Sequence, residues 1–515
     1  MTPHAGRIAV FSASVGAGHD GAAAELARRL TADGFAVDRH DLLDLLPAGL
    51  GRAVRTGYHR MLVRAPWAYQ RIYSSSERAG GGGPAARALL RAAERRVLHA
   101  LHPGTGAVVS TYPGASQVLG SLRRDGRLAV PVLTYLTDFS VHPLWVADGV
   151  DVHLAAHPVT AAQARAAGAR TVRVCGPVTD PRFRPCTGAE RDRARDRFGL
   201  PERAPLALLV AGSWGVGPVR QVALELRDSG AVVPVVVCGR NEALAARLRA
   251  DGIEYAYGWV DDMPALMNAA DVLVQNAGGL TSLEAFAAGL PVASYRCIPG
   301  HGLTNAAALH EAGVAAWIHD PSDLKAVLTD LTDGALGVRQ RVAAFALFGR
   351  TPGQGPAAEI ARRHRHTTAP WQARSAPSRR PVRSPAASRA REVLPLAAPA
   401  ENPGTPGTRT SGRPAESPHR TPLPDGRTSP APAPARKDPA PARKHSAPAA
   451  RVRPAPRRLA ATAAVACAVW ACAVVTGGAT APDGPSLVRT IGHGLDLDDL
   501  RQGEGHGAGS GGHHS

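Results

Sequence analysis

The 515-residue sequence predicts an α/β fold of two facing doubly wound domains, followed by a long polar region. Three observations lead there. Short β-branched runs alternate with Ala/Leu/Arg-rich stretches of helical period; the alternation begins again after a polar stretch at 187–203; and it ends near Phe348, where Pro, Ala, Ser and Arg take over.

In the first half, strands are expected at 8–12, 35–38, 108–110, 132–136, 152–155 and 172–174. After the first of these, Ala23, Leu26, Ala27 and Leu30 recur at i, i+3, i+4 and i+7, the mark of a helix with one buried face. In the second half, strands are expected at 206–211, 232–237, 253–257, 272–275, 292–295 and 314–317. Two Rossmann-like domains, 1–185 and 186–350, would turn the carboxyl ends of both parallel sheets toward a shared crevice, where such sheets bind ligands. Tyr58, Met61, Trp67, Tyr69 and Tyr73 cluster in the first domain and fit either helix packing or contact with an acceptor or membrane.

Residues 351–458 read as a disordered linker of polyproline character. The uncharged stretch 459–481 is long enough to span a ~30 Å hydrocarbon core and is read as one transmembrane helix, with a buried Ala-rich helix as the alternative. Arg451, Arg453, Arg457 and Arg458 precede it. By the positive-inside rule they keep the front part at the cytoplasmic face of a single-pass membrane protein, with 482–515 as a disordered Gly/His-rich tail.

The net charge of +18 is unevenly spread. Roughly +15 of it falls between Arg362 and Arg458, in a stretch too poor in apolar residues to offset the entropy of ordering, so a folded nucleic-acid reader is not expected. The six cysteines form no CxxC pair, which indicates neither a zinc site nor a disulfide framework. Arg7 leads directly into Ile8-Ala9-Val10-Phe11, so no signal-peptide pattern is seen.

The segment Val15-Gly16-Ala17-Gly18-His19-Asp20-Gly21 follows a strand and opens a helix, leaving free N–H groups toward the crevice. It spells GxGxxG, and with Asp38 about 20 residues on it also fits a dinucleotide-binding fingerprint. His19 offers a different use: an imidazole at a helix N-terminus is biased toward its neutral form and can take a proton from an attacking hydroxyl. In the second half, Gly212 and Gly215 lie in a glycine-rich loop after a strand, where backbone approaches a ligand closely. Gly278 and Gly279 follow the strand at 272–275 and precede Thr281, a pattern that exposes helix-start amides to a diphosphate. Glu284, one to two turns into that helix, suits ribose hydroxyls as a double acceptor, or is a plain surface charge.

Three segments resemble the front domain of the monogalactosyldiacylglycerol synthase family of glycosyltransferases: 14–25, Thr137-Asp138-Phe139-Ser140-Val141-His142-Pro143-Leu144-Trp145, and 176–183. The spacing of Tyr58, Pro66, Tyr69 and Tyr73 is also similar. The order of Cys238-Gly239-Arg240-Asn241, Gly258-Trp259-Val260-Asp261-Asp262-Met263 and the 276–285 segment resembles the family's donor-binding domain. The resemblance implies the GT-B fold, UDP as the nucleotide, and His19 as a candidate base. It also implies that Asp138 and His142 lie near the acceptor, with helix capping and core packing as their alternatives. Arg240 then belongs to the donor site, with Trp259 and Val260 near the base. Pro299-Gly300-His301-Gly302-Leu303-Thr304-Asn305 matches the sugar-reading loop in part: His301 and Asn305 fall on it, while Gly302 stands where the family carries an acid.

The expected function is therefore an inverting glycosyltransferase that moves a hexose from a UDP-sugar to a lipid acceptor such as diacylglycerol at a membrane surface. The UDP-sugar is its donor substrate, and no cofactor or metal is called for, since no DxD-like acidic pair stands in place. A UDP-sugar epimerase of the same fold, an NAD-dependent oxidoreductase and a non-catalytic, membrane-tethered binding protein are the alternatives.

Overall fold

The computed structural model describes residues 6–78, 84–349 and 354–365. The first lobe is built on six parallel strands: β1 (Arg7–Ser12), β2 (Ala36–Asp41), β3 (Thr105–Ser110), β4 (Val132–Tyr135), β5 (Val152–Ala155) and β6 (Val172–Val174), in the order β2-β1-β3-β4-β5-β6. Its helices are α1 (Ala17–Ala32), α2 (Leu50–Arg64), α3 (Pro66–Arg78), α4 (Pro84–Ala100), α5 (Pro113–Arg124) and α6 (Pro158–Ala166). Alternate residues of β1 enter opposite layers, as the two-residue period of a strand requires. Ile8 and Val10 join Leu26 and Leu30 of α1, while Ala9 and Phe11 join Val97, Leu119 and Leu122 on the other face. A strand covered on both faces has to be apolar throughout, which is why this parallel sheet was visible as short β-branched runs.

The second lobe repeats the plan with β7 (Leu206–Val210), β8 (Val233–Val237), β9 (Tyr255–Tyr257), β10 (Val272–Gln275), β11 (Val292–Tyr295) and β12 (Ala316–Ile318), ordered β12-β11-β10-β7-β8-β9 and all parallel. Around it pack α7 (Gly188–Arg197), α8 (Val219–Asp228), α9 (Glu242–Ala250), α10 (Met263–Ala269), α11 (Leu280–Ala288), α12 (His301–Glu311), α13 (Leu324–Thr332) and α14 (Ala335–Phe348).

The two sheets share a local device. Asp151 accepts the N–H that opens β4 (Val132 N, 2.7 Å) and pairs with Arg123 (3.2 Å). Asp271 accepts the N–H that opens β7 (Leu206 N, 2.8 Å) and pairs with the buried Arg195 (2.8 Å), which also donates to Ala269 O (3.0 Å). Each carboxylate supplies an acceptor that the sheet ladder lacks at that strand's start.

Strand limits differ from expectation where neighbouring bonds decide them. β2 runs on to Asp41 because all six residues of β1 pair with it, although Asp38, Arg39 and His40 are polar. Ile253 and Val314 instead close the ends of α9 and α12, donating to Leu248 O and Leu309 O, so β9 and β12 begin two residues later than expected.

Two larger differences concern the end of the chain. A helix, α15 (Pro356–Arg365), lies inside the stretch read as linker and returns to the first lobe. Ala357, Ile360 and Ala361, spaced i, i+3, i+4, join Ile8, Val10 and Leu26 in one core, and His364 meets the Phe35 ring edge-on at 5.1 Å. The expected transmembrane helix is corrected: among the described residues no helix is long and apolar enough to cross a membrane. Its assigned stretch, 459–481, lies outside the described residues, as do 366–458 and the tail 482–515.

Candidate active site

In each sheet the chain winds outward in one direction and then restarts on the other side. These switch points fall between β1 and β3 in the first lobe and between β7 and β10 in the second. Loops at the carboxyl ends of these four strands diverge there and leave a crevice. The motifs that carry His19, Asp138, Gly212, Arg240, Gly278 and His301 each begin on one of the four or on a strand beside them, whereas the Trp259 group follows β9.

His19 sits in the first turn of α1, whose N-cap is Gly16, without a side-chain cap. Its Nδ1 lies 2.9 Å from both Thr111 O and Thr137 Oγ1. A carbonyl only accepts, so Nδ1 carries a proton, and it is Nε2 that holds the lone pair in the neutral ring. Thr111 Oγ1 donates back to His19 O (3.1 Å), and the rings of Tyr112 and Trp145 stand 5.3 and 5.9 Å away. Trp145 Nε1 in turn donates to Asp138 Oδ2 (3.1 Å). Thr111, Thr137 and Trp145 thus fix the orientation of the two groups that sequence motifs had pointed to. Thr137 and Trp145 lie within the same motif as Asp138; Thr111 carried no signal of its own.

His142 is placed differently. Its Nδ1 accepts from Leu144 N (3.1 Å), capping a short 3-10 turn, and its Nε2 donates to Ser76 Oγ (2.9 Å), whose own proton goes to Tyr73 O (2.7 Å). Both nitrogens are engaged, and burial lowers its pKa to about 4, so it stays neutral. In this geometry His142 holds α3 against the first lobe.

Across the crevice, α11 starts from Gly279, which has no side chain to cap it. Gly278 takes φ 68, a value that favours glycine, and an added Cβ would sit 2.7 Å from Asn305 Cβ. Gln275 Oε1 already accepts from the amides of Ala277 (2.7 Å) and Gly278, so the open end of the helix begins one residue later than the sequence pattern suggests, ahead of Thr281. Leu280 meets α1 at Gly18 and Gly21, where added Cβ atoms would lie 3.6 and 2.5 Å from its side chain. The two glycine turns therefore face each other across one leucine. Glu284, one turn on, has its carboxyl pushed up to about 7 by burial, with the charge of Asp180 adding to the effect.

The loop after β7 packs backbone to backbone on the loop after β8, since an added Cβ at Gly239 would lie 2.4 Å from Gly212 O. An added Cβ at Gly215 would touch Asn241 at 3.0 Å. Between these glycines Trp214 reaches the first lobe, its ring 4.9 Å from His59 and 6.2 Å from Tyr58. Arg240 stacks over Trp259 at 4.9 Å; Trp259 is 50% exposed and donates to Asp261 (2.9 Å), while Val260 is half-buried against the second lobe's core. This flat cation-aromatic pair brings together the loops after β8 and β9.

The loop at 299–305 joins the lobes. Asn305 is fully buried; its Oδ1 accepts from Ser140 N (2.8 Å) and its Nδ2 donates to Ala277 O (3.0 Å). His301 Nδ1 lies 2.9 Å from Tyr69 OH, and burial lowers its pKa, with the charge of Asp138 opposing the shift and His19 adding to it. Asp38, the acid of the dinucleotide fingerprint, is instead paired with Arg7 at 2.6 Å.

Comparisons with known proteins agree with the motif reading. Residues 19–178 match the family profile of monogalactosyldiacylglycerol (MGDG) synthase, and 218–333 that of glycosyl transferases group 1. The first lobe thus matches the family whose front domain its motifs resemble, and the second lobe matches a glycosyl transferase profile. The chain is 28% identical over 233 residues to a processive diacylglycerol beta-glucosyltransferase of Bacillus pumilus, and 28% over 232 residues to that of Bacillus subtilis. Each match covers 44% of this chain and 60% of the relative, so the chain spans about three fifths of the relatives it matches. Among solved structures, MurG of Acinetobacter baumannii aligns with TM-score 0.42 at 18% identity, over 70% of this chain and 98% of that one. Anabaena Alr3699/HepE in complex with UDP and glucose aligns with TM-score 0.43 at 14% identity, over 69% and 97%.

Proposed function

We propose that the chain is an inverting glycosyltransferase that moves a hexose from a UDP-sugar to a lipid hydroxyl, with a diacylglycerol as the acceptor its curated relatives suggest. The observation that carries this reading is the pairing at the crevice: His19, whose Nδ1 is spent on a carbonyl, on one lobe, and an uncapped helix start on the other, with Leu280 of that helix packed against α1. In the reaction, the acceptor oxygen attacks the anomeric carbon as its proton passes to His19 Nε2. The bond from that carbon to the diphosphate oxygen breaks, and UDP leaves against the helix-start amides near Gly279 and Thr281. Glu284 takes the ribose hydroxyls, and the Arg240–Trp259 pair, with Val260, borders the base. Asp138 and His142 act through position, the first beside His301, the second by seating α3.

The membrane surface is the natural place to find such an acceptor. Val63 (55% exposed) and Trp67 (67%) stand out from α2 and α3 among the exposed Arg52, Arg60, Arg64 and Arg71, and residues 45–76 contain no Asp or Glu. An interfacial Trp ringed by cations suits an anionic bilayer, where each basic residue contributes about 1 kcal/mol. Product formation from UDP-hexoses and diacylglycerol, read by mass, tests the transfer; a chain that hydrolyses or epimerises UDP-hexose without any glycolipid appearing would overturn it.

A further inference from the structure

One side chain bonds the loop after β4 in the first lobe to the helix start of the second. Asn305, in the second turn of α12, is fully buried, and a polar group shut off from water needs its partners within the protein. Those partners fix how its amide points. Ser140 N can only donate and lies 2.8 Å from Oδ1; Ala277 O can only accept and lies 3.0 Å from Nδ2. Ser140 Oγ adds a second bond to Oδ1 (3.0 Å).

Each partner belongs to a peptide group that its own lobe already holds from the other side. The N–H of Ser140 goes to Asn305, while the carbonyl of the same peptide group, Phe139 O, accepts from Thr160 Oγ1 of α6 (2.7 Å). The carbonyl of Ala277 goes to Asn305, while the N–H of the same peptide group, on Gly278, donates to Gln275 Oε1. Asn305 therefore joins two peptide groups that cannot turn freely. One lies in the loop that carries Asp138 and Thr137, the partner of His19; the other opens the turn into α11.

We propose that Asn305 is a positioning residue that latches the two lobes, so that the loop orienting His19 and the helix start that receives the diphosphate close in one fixed register. The kinetic part of its test rests on the transfer proposed above.

The test uses the full chain with Asn305→Leu, which keeps the branched outline and removes the bonds, and Asn305→Asp, which keeps the shape. Amide hydrogen exchange reads the latch without any substrate. In Asn305→Leu, segments 137–141 and 276–280, on opposite lobes, should both exchange about tenfold faster, with α13 unchanged as the check on folding. In kinetics, kcat should fall about 100-fold and UDP affinity by calorimetry less than about threefold, since a displaced loop costs turnover more than it costs binding. In Asn305→Asp an ionised carboxylate still accepts at Ser140 N but repels Ala277 O, whereas the protonated acid donates there as the amide does. Its rate relative to wild type should therefore rise several-fold from pH 8 to pH 6, because burial raises a carboxyl's pKa toward that range. Faster exchange at 276–280 alone, kcat and UDP affinity falling together, or an Asn305→Asp ratio that stays level with pH overturns the latch while the UDP-sugar reading stands. A wild-type chain that makes no glycolipid overturns that reading, and exchange at 137–141 then decides the latch by itself.

Discussion

The switch points of the two lobes are built alike and equipped differently. Both follow a buried strand with a glycine turn into a helix, and both leave that helix without a side-chain cap. In the first lobe the turn carries His19, with one nitrogen spent on Thr111 and Thr137 and the other free. In the second, Gln275 takes the first amides and the helix start carries no titratable group until Glu284. Under the proposed function the lesson is a division of labour: the same backbone feature would serve as the mount for a base in one lobe and as an anion seat in the other.

The sharpest way to break this comparison is His19→Ala, which should lower glycosyl transfer by about 10²–10⁴ and leave UDP affinity nearly intact. Turnover retained in single-turnover kinetics would remove the base from its lobe. The reciprocal change, Gly278→Ala, places a Cβ against Asn305 at φ 68 and should weaken UDP binding about tenfold or more in calorimetry, with no direct effect on proton transfer. An unchanged UDP affinity would move the anion seat elsewhere.

Glu284 sharpens the comparison through pH. Its carboxyl is pushed up to about 7, so the charged form that best accepts ribose hydroxyls is populated only above that. UDP affinity should rise several-fold from pH 6 to pH 8, and Glu284→Gln should flatten this rise. A slope that survives the substitution would take Glu284 out of the ribose site. At the surface, Trp67→Ala with Arg64→Ala should lower flotation with anionic vesicles several-fold and leave binding to UDP untouched; equal flotation would detach α2 and α3 from the bilayer.

A last effect is on stability and is read here in the first lobe. Burial depresses His142 and His153 to about 4. The unfolded chain takes up those protons between pH 6.5 and 4 while the folded chain does not, so stability is full above about 6.5 and is lost as pH falls toward 4, by at most ~3 kcal/mol for each histidine. His153→Leu should reduce the proton uptake on unfolding by one in this window, as read by the pH dependence of the denaturant midpoint.

Both lobes were legible in the sequence because a parallel sheet buried on two faces writes itself as apolar runs, and the glycine turns because each follows such a run. The places of His19 and Glu284 in α1 and α11 were legible for the same reason: their helices announce where they begin. The partners that orient them were not. Thr111 and Ser76 act through bonds to residues 92 and 66 positions away, and nothing in a hydroxyl side chain signals a distant neighbour. α15 was hidden by composition, since three small or apolar residues among arginines do not rise above a Pro/Arg-rich background until the core they enter is known.

That last helix has a mechanical consequence. The chain passes from the first lobe to the second between β6 and α7 and comes back between α14 and α15, where Ile360 is locked into the core beside β1. With two strands crossing, the lobes are joined like a door on a pair of hinges instead of a weight on a single cord. A double connection leaves the lobes fewer ways to part than a single one would.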